Sequence, residues 1–167
     1  MDGDSWKTVT DAWNGFHSVP LQESDRHLTT FITPFRRWRY TRAPQGFLSS
    51  GDGYNRRFDA VLSTFERKER CVDDTIHYDT DLEEHWWWTI DFLTLVGQSG
   101  NVLNPDKFQF TQRSVDFAGF HISDTNIEAL PKYLDAIRDF PTPGSTTDVR
   151  RWFGLVNQVA TISFEML

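Results

Sequence analysis

Apolar side chains recur at helical spacing in three stretches of the chain. Residues 54–70 form the first stretch, in which the apolar positions are three or four apart: Phe58, Val61, Leu62 and Phe65. This spacing predicts a helix with one buried face. Ser50 or Asp52 is the expected cap of this helix, because both side chains accept hydrogen bonds from free backbone N–H groups.

The other two helical stretches lie at residues 81–98 and 145–160. Thr80 or Asp81 is the expected cap of the second helix, and Thr146 that of the third. The apolar positions of the second helix include Trp87, Ile90, Leu93 and Leu95. The third helix is predicted to bury a stripe of four side chains: Val149, Trp152, Phe153 and Val156.

Strand-forming residues fill much of the remaining chain. Extended segments are predicted at residues 8–13, 16–21, 27–33, 37–42, 71–78, 108–110 and 115–122. Asn14-Gly15 and Asp73-Asp74 are expected at tight turns, and a helix is expected from Pro131. This order of strands, hairpins and helices predicts an α+β fold, with helices on one face of an antiparallel sheet.

The composition is that of a globular protein, since 38% of the 167 residues are hydrophobic. The single cysteine, Cys71, excludes a disulfide within the chain and favours a reducing location. The N-terminus lacks the basic and apolar regions of a signal peptide, and the apolar stretch 86–96 is too short to cross a membrane. We therefore expect an intracellular protein that is not secreted and has no membrane partner.

The net charge of −7 counts against binding of nucleic acid, but the charges are unevenly distributed. Arginines alternate with aromatic residues in one segment, at Arg36, Arg37, Arg39 and Arg42. Acidic residues concentrate within residues 73–84, where they could attract a cation. The distribution therefore leaves binding of a polyanion open.

Two acidic positions and one loop are candidate sites. Asp73-Asp74 at a hairpin turn and Asp11 near a strand end are each most simply explained as solvated turn residues. If their two hairpins met, however, the carboxylates would suit hard divalent cations. The loop at residues 43–46 precedes a helix, and free N–H groups at a helix N-terminus favour phosphates.

Other chemistries have weaker support. His77, His85 and Cys71 do not have the spacing of a Cys/His zinc site. The P-loop motif of many phosphotransferases does not occur in the sequence. The three tryptophans at residues 86–88 are interpreted as part core and part exposed helix face, rather than as a surface for stacking bases.

Seven motifs together resemble the reverse transcriptases of gypsy-type LTR retrotransposons. They occur in the family's order between about Lys7 and Val159, at residues 10–17, 29–33, 43–47, 71–74, 104–107, 117–123 and 148–157. The resemblance implies a ferredoxin-like polymerase palm at residues 1–125, with a partial fingers hairpin at about residues 24–44. Residues 126–167 would be a truncated helical segment that leads toward the thumb.

The resemblance also implies a catalytic site with two metal ions. Asp11 and Asp73 would bind two Mg²⁺ ions, with Mn²⁺ as an alternative, and Asp74 would lie alongside. Lys107 would lie near the triphosphate and protonate the leaving pyrophosphate.

Further residues are implied in the binding of substrates. The Ala12 carbonyl would lie beside the metal site, and Phe16 would exclude a nucleotide that carries a 2′-hydroxyl. Gln45 would face the sugar, and Gly46 would let the backbone approach it closely. The primer end would be held by Phe117, Ala118, Gly119 and Phe120.

The implied activity is RNA-directed DNA polymerisation, with a dNTP and an RNA or DNA template–primer as partners. Cys71 stands where the family has Tyr, and Arg36 where its hairpin has Gly. The family's N-terminal fingers strands, thumb and RNase H, expected from a parent polyprotein, do not occur in the sequence. These departures leave an alternative: a catalytically inactive remnant of a retrotransposon that acts at most as a binding or interaction domain.

Overall fold

The computed structural model describes residues 5–13 and 15–163 of the chain. The strands within these residues are β1 (Trp6–Trp13), β2 (Phe31–Ile32), β3 (Arg37–Trp38), β4 (Lys68–Cys71), β5 (Asp74–Asp79), β6 (Val102–Leu103), β7 (Gln109–Gln112), β8 (Val115–Phe117), β9 (Phe120–Ile122) and β10 (Ile127–Ala129). The α-helices are α1 (Leu48–Val61), α2 (Leu82–Gln98), α3 (Pro131–Arg138) and α4 (Thr146–Ser163). Short 3-10 segments lie at Gly15–Ser18, Glu23–Thr29, Leu62–Thr64 and Pro105–Lys107.

The central sheet has the strand order β4-β5-β1-β6, and β7 also pairs with β1. A second sheet contains β8, β9 and β10, while β2 and β3 form a separate hairpin. The strand pairs in all three sheets are antiparallel. The prediction of an α+β fold with an antiparallel sheet is therefore confirmed.

Strand β1 is buried on both faces, which requires apolar or hydrogen-bonded side chains at nearly every position. On one face, Ala12 packs into a core with side chains of α1, α2 and the turn after α1: Tyr54, Phe58, Leu62, Phe92 and Val96. On the other face, Val9 and Ile76 pack against Val115 and Ile122 from β8 and β9. Each fully buried apolar side chain stabilises the fold by about 1.5–3 kcal/mol.

Helix α1 differs from its prediction at both ends. Ser50 and Asp52 lie inside the helix, so neither is its cap, and Ser50 Oγ instead donates a hydrogen bond to the Pro44 carbonyl at 2.7 Å. The helix ends at Val61, because the residues that would continue it pair with β5 as strand β4. Pairing with a neighbouring strand outweighs local helical periodicity.

Hydrogen bonds from backbone N–H groups identify the capping residues of α2 and α4. The Asp81 side chain accepts a hydrogen bond from Glu84 N at 2.8 Å, which confirms one of the two predicted caps of α2. At the start of α4, Ser145 Oγ accepts from Asp148 N at 3.2 Å. The cap of α4 is therefore Ser145, and the prediction of Thr146 is wrong.

The buried stripe predicted for α4 is largely wrong, and the apolar positions of α2 are not all buried. Helix α2 buries His85, Thr89, Phe92 and Val96, whereas Trp87 and Ile90 are exposed. On α4, three members of the predicted stripe are exposed: Val149, Trp152 and Phe153. Periodicity identifies the apolar face of a helix, but it cannot tell whether another element covers that face.

Other predicted strands are shorter than expected or absent. The first part of the extended segment predicted at residues 16–21 is a 3-10 helix, Gly15–Ser18. The first part of the segment predicted at residues 27–33 belongs to another 3-10 helix, Glu23–Thr29. The hairpin itself is confirmed as β2 and β3. Asn14, half of a predicted turn, lies outside the described residues. The boundary at residue 125 falls between β9 and β10 and stays a prediction.

None of the helices in the described ranges combines the length and the apolar character that crossing a membrane requires.

Candidate active site

Three acidic side chains meet where β1 pairs with β5. The antiparallel register puts Asp11 directly opposite Asp74, and such cross-strand neighbours have Cβ atoms about 4.5–5.5 Å apart. Asp73 immediately precedes β5 in the turn from β4, and its carbonyl accepts a hydrogen bond from Ala12 N at 2.8 Å. Strand β1 and the β4–β5 hairpin, which are distant in the sequence, thus bring Asp11, Asp73 and Asp74 together.

The three carboxyl groups crowd negative charge into a partly buried space. Burial, a hydrogen bond with Asp11 and the charge of Asp11 raise the pKa of Asp74 to about 6. Burial and the charge of Asp11 also raise the pKa of Asp73. Among the described groups, Asp73 Oδ1 is a buried oxygen without a hydrogen-bond partner. These features indicate a site that lacks positive charge.

Lys107 supplies part of that missing charge. Its Nζ lies 2.7 Å from Asp11 Oδ2, and this hydrogen bond raises the pKa of the lysine. The lysine ends the 3-10 segment after β6, and Asn104 N donates to the Asp11 carbonyl at 2.8 Å. The backbone of this segment therefore fixes Lys107 beside the acids, while its side chain remains largely exposed to solvent.

The β4–β5 turn is held to helix α1 by Arg70. Its guanidinium donates to Asp59 Oδ1 at 2.7 Å, to Asn55 Oδ1 at 3.1 Å and to the Val72 carbonyl at 2.5 Å. Val72 has φ 53°, a conformation that strains a β-branched residue. The charge of Arg70 also acts to lower the pKa of Asp73 against the effect of burial. Arg70 therefore both anchors the turn and partly neutralises the site.

An open cleft of about 580 Å³ joins the acids to the β8–β9 turn. Asp11, Asp74 and Lys107 line it together with three of the predicted primer-holding residues: Phe117, Ala118 and Gly119. Gly119 has φ 97°, and an added Cβ would lie 3.1 Å from the Tyr133 ring of α3. Of the predicted catalytic and primer-holding residues, Asp73 is not part of this lining and Phe120 lines a neighbouring groove.

The predicted nucleotide-binding residues lie in two places. Ala12 follows Asp11 and is buried, and Phe16 packs edge-on against Tyr54 with ring centres 5.9 Å apart. Gln45 and Gly46 are exposed just before helix α1, where Gly46 has φ 82°. None of the four lines the cleft beside the acids. Their roles in nucleotide binding stay predictions.

A family model for reverse transcriptase (RNA-dependent DNA polymerase) matches residues 1–122. The chain belongs to the reverse transcriptase family. This confirms the family predicted from the motifs and makes the chain part of an enzyme family.

Similar reverse transcriptases occur in the Pol polyproteins of retrotransposons and viruses. The Drosophila melanogaster polyproteins from transposons opus and gypsy are 28% and 26% identical over 152 and 153 residues. The Pro-Pol polyprotein of Simian foamy virus type 1 is 26% identical over 152 residues. These alignments cover 90%, 90% and 91% of this chain, but only 15%, 15% and 13% of the polyproteins. The transposon relatives confirm a gypsy-type reverse transcriptase, and the chain spans a small part of such polyproteins.

Solved structures of reverse transcriptases share the fold. A foamy viral protease-reverse transcriptase in complex with an RNA/DNA hybrid matches with a TM-score of 0.83 and 23% identity, over 94% of this chain and 21% of that one. A second foamy viral structure, in complex with double-stranded DNA, matches with a TM-score of 0.85 and 23% identity, over 94% of this chain and 28% of that one. These likenesses confirm the polymerase fold.

Several residues of this reverse transcriptase site were not identified from the sequence. Arg70 and Tyr54 lie near Asp73, and Lys132 and Tyr133 line the cleft from α3. Burial and the charge of Asp73 raise the pKa of Tyr54. None of these four residues lies in the seven motifs, so only the contacts between distant elements reveal them.

The acids of this reverse transcriptase fit a pair of hard divalent cations. Such cations bind several carboxylate oxygens at once, and three carboxylates converge at the β1–β5 pair. The raised pKa of Asp74 and the unpartnered Asp73 Oδ1 both indicate that positive charge would stabilise the site. The oxygen-rich donor set favours Mg²⁺ or Mn²⁺ over softer metals.

Proposed function

We propose that the chain carries the catalytic centre of an RNA-directed DNA polymerase, which transfers a deoxynucleotide from a dNTP to the 3′-hydroxyl of a primer. The observation that carries this proposal is the register of β1 and β5, which brings Asp11 and Asp74 together beside Asp73. The template would be RNA or DNA, as the foamy viral proteins of similar fold were solved with an RNA/DNA hybrid and with double-stranded DNA.

In this proposal Asp11 and Asp73 hold two Mg²⁺ ions, Mn²⁺ can replace them, and Asp74 lies alongside. The ions, when bound, activate the 3′-hydroxyl and neutralise charge on the phosphates. The chain's own contribution is to place the three carboxylates in fixed positions before substrate arrives. Both strands are held by backbone pairing, so the carboxylates need little reorganisation.

The remaining residues have roles in positioning. Lys107 stays protonated beside Asp11 and can donate hydrogen bonds to a triphosphate in the cleft. Phe16, braced by Tyr54, would exclude a 2′-hydroxyl beside Ala12. Gln45 and Gly46 would contact the nucleotide from the start of α1. The primer end would rest on Phe117, Ala118 and Gly119 of the β8–β9 turn, which Phe120 supports from outside the cleft.

Primer extension tests the proposal. The purified chain is given a primed RNA homopolymer, the complementary dNTP, and either Mg²⁺ or Mn²⁺. Incorporation should depend on the ion and fall by about 10³-fold or more in Asp73→Asn, because that substitution removes a ligand charge from the transition state. Asp135→Asn, on the exposed side of α3, is the matched control and should retain activity. Incorporation that survives Asp73→Asn would refute the assignment of the metal ligands.

The second candidate is the inactive remnant, and the net charge of −7 favours it. The chain also matches only about 15% of the length of the opus polyprotein. Retention of a template–primer in a gel shift without any incorporation would favour the remnant. Salt-dependent binding together with ion-dependent incorporation would favour the polymerase.

A further inference from the structure

Three buried side chains converge on the helix-covered face of the central sheet. They are His77 and Asp79 of β5 and His85 of α2, and one potential ligand atom from each lies within 4.8 Å of the others. We propose that these three residues bind a divalent transition-metal ion, Zn²⁺ in the first instance. This site does not depend on the proposed polymerase activity.

The fold places the three residues together from two elements. His77 and Asp79 are two positions apart on β5, so their side chains point to the same face of the sheet. Helix α2 packs across that face and contributes His85 from its buried side. Asp74 alternates with these positions and points to the other face, as does its partner Asp11. The proposed site is thus separated from the catalytic acids by the sheet itself.

The outer ring nitrogens of both histidines already have protein partners. His77 Nδ1 lies 3.1 Å from the Arg67 carbonyl, which can only accept a hydrogen bond, so this nitrogen carries the proton. His85 Nε2 lies 2.7 Å from Thr8 Oγ1, which also accepts from Thr111 N at 3.1 Å. Such contacts fix the orientation of a histidine that binds metal through its other nitrogen.

The inner atoms face one another without hydrogen bonds. Among the described groups, His77 Nε2, His85 Nδ1 and Asp79 Oδ2 are buried polar atoms with no hydrogen-bond partner, whereas Asp79 Oδ1 forms an ion pair with Arg67. His77 Nε2 lies 2.9 Å from Asp79 Oδ2, and His85 Nδ1 lies 4.0 Å from the same oxygen. A neutral His77 therefore turns a lone pair toward a carboxylate oxygen. Two acceptors this close repel each other, and either a proton or a metal ion between them would remove the repulsion.

The charges around the cluster are of both signs. Arg67 pairs with Asp79 through Oδ1, and this positive charge opposes a cation, but Oδ2 remains directed at the two histidines. The acidic side chains of Asp81 and Glu84 act on Asp79 from the start of α2. Imidazole binds metal only in its neutral form, and both rings are fully buried, where a neutral ring is favoured.

The donor set suits zinc better than magnesium. Two imidazole nitrogens and a carboxylate oxygen are common zinc ligands, at about 2.0–2.2 Å from the ion. Ligand atoms at such distances are at most about 4.4 Å apart. The rings of His77 and His85 are stacked with centres 4.6 Å apart and 9° between their planes, so the His85 ring would have to rotate for both lone pairs to meet at one ion. Trp88 stacks on His77 with ring centres 3.4 Å apart, which limits how the ring can move. A bound ion would tie α2 to β5 and so stabilise the folded state.

Zinc binding to the full chain tests the proposal. The protein is treated with EDTA, dialysed, and titrated with Zn²⁺ by calorimetry, with thermal unfolding recorded at each concentration. We expect one tight site per chain and a Tm that rises with zinc concentration. His85→Gln should weaken this site by more than about 100-fold, since loss of an outer-shell partner alone costs about 10–100-fold.

Two controls separate this site from others. His121→Gln removes a half-exposed histidine that lies 2.8 Å from Asp116, and it should leave the tight site intact. Asp73→Asn should also leave it intact, which excludes zinc bound at the catalytic acids. An unchanged zinc affinity in His85→Gln would overturn the proposal.

A measurement on the unmodified chain tests the proposal even if the variants do not fold. X-ray absorption of the zinc-loaded protein should show two imidazole ligands in the first coordination sphere. A sphere made of oxygen alone, or the absence of tight zinc binding, would show that the cluster is no metal site.

Discussion

At the level of single residues, the crowding of carboxyl groups has its largest described effect on the pKa of Asp74. Its carboxyl group lies opposite Asp11 in a partly buried space, and its pKa is raised to about 6 from 3.8. A folded-state pKa above the unfolded value means that the folded protein holds the proton more tightly. The contribution of this group to stability is therefore full below about pH 4 and is lost as the pH rises through about 6.

Asp74→Asn should remove this loss of stability at higher pH. In EDTA, the free energy of unfolding of the variant should exceed that of the unmodified protein, by an amount that grows between about pH 4 and about pH 7. Urea denaturation at both pH values measures the difference. Asp91→Asn, on an exposed position of α2, is the control and should show no such growth. A constant difference across the pH range would mean that Asp74 and Asp11 do not compete for a proton.

Gly15 is required by the Tyr54 ring that packs against it. A Cβ at Gly15 would lie 2.6 Å from this buried ring, so Gly15→Ala should destabilise the fold by about 1–3 kcal/mol. A Cβ at Gly51, inside helix α1, would meet no neighbouring group within 4 Å, so Gly51→Ala should stabilise by about 0.5–1 kcal/mol. Chemical denaturation of both variants measures the two changes. Equal effects at the two glycines would contradict the close packing of Tyr54 on Gly15.

At the level of elements, the β4–β5 turn has a strained backbone next to the three acids Asp11, Asp73 and Asp74. Val72 is half-exposed and has φ 53°, so Val72→Gly loses little buried surface and removes a conformation that costs about 1–3 kcal/mol. We expect Val72→Gly to raise the free energy of unfolding by about 1 kcal/mol, because added freedom of the unfolded glycine offsets part of the gain. Val102→Gly is the matched control, since Val102 is similarly exposed without a positive φ, and it should destabilise. Destabilisation by both substitutions would show that the turn is relaxed.

Local signals predicted those elements whose ends are set by nearby residues. Asp81 caps α2, and Pro131 starts α3, as the sequence indicated. The end of α1 was mispredicted, because β4 pairs with a strand that follows it in the chain. The exposure of Phe153 was missed for a related reason, since its spacing on α4 says nothing about what covers it.

The two candidate sites differ in how far the sequence could predict them. Asp11 and Asp73 were singled out because they lie in motifs that resemble a family, and the β1–β5 pairing brings them together. His77 and His85 were considered with Cys71 and set aside as a zinc site, and Asp79 was not considered, because this cluster forms only where a helix crosses a strand. Its spacing in sequence matches no cysteine and histidine pattern.

At the level of the whole molecule, charge is separated between two regions. The three acids lie at the end of the β1–β5 pair, whereas Arg37 and Arg39 are exposed on and beside the β2–β3 hairpin. A net charge of −7 makes nonspecific attraction to nucleic acid weak. Any contact with a template backbone should therefore depend on a few cations, and the hairpin offers a compact group of them.

Replacing both hairpin arginines tests whether they contact phosphates. Each phosphate neutralised by a protein cation adds about 0.9 to the slope of log affinity against log salt for duplex DNA. Arg37→Gln combined with Arg39→Gln should therefore reduce the magnitude of that slope by about 2, as measured by fluorescence anisotropy with a labelled template–primer. Arg57→Gln is the control, because Arg57 donates to the Ser99 carbonyl at 3.1 Å and should not reach the template. If all three proteins gave the same slope, the hairpin could not be the phosphate-binding surface, and the cations beside the cleft, such as Lys132, would have to carry the contact.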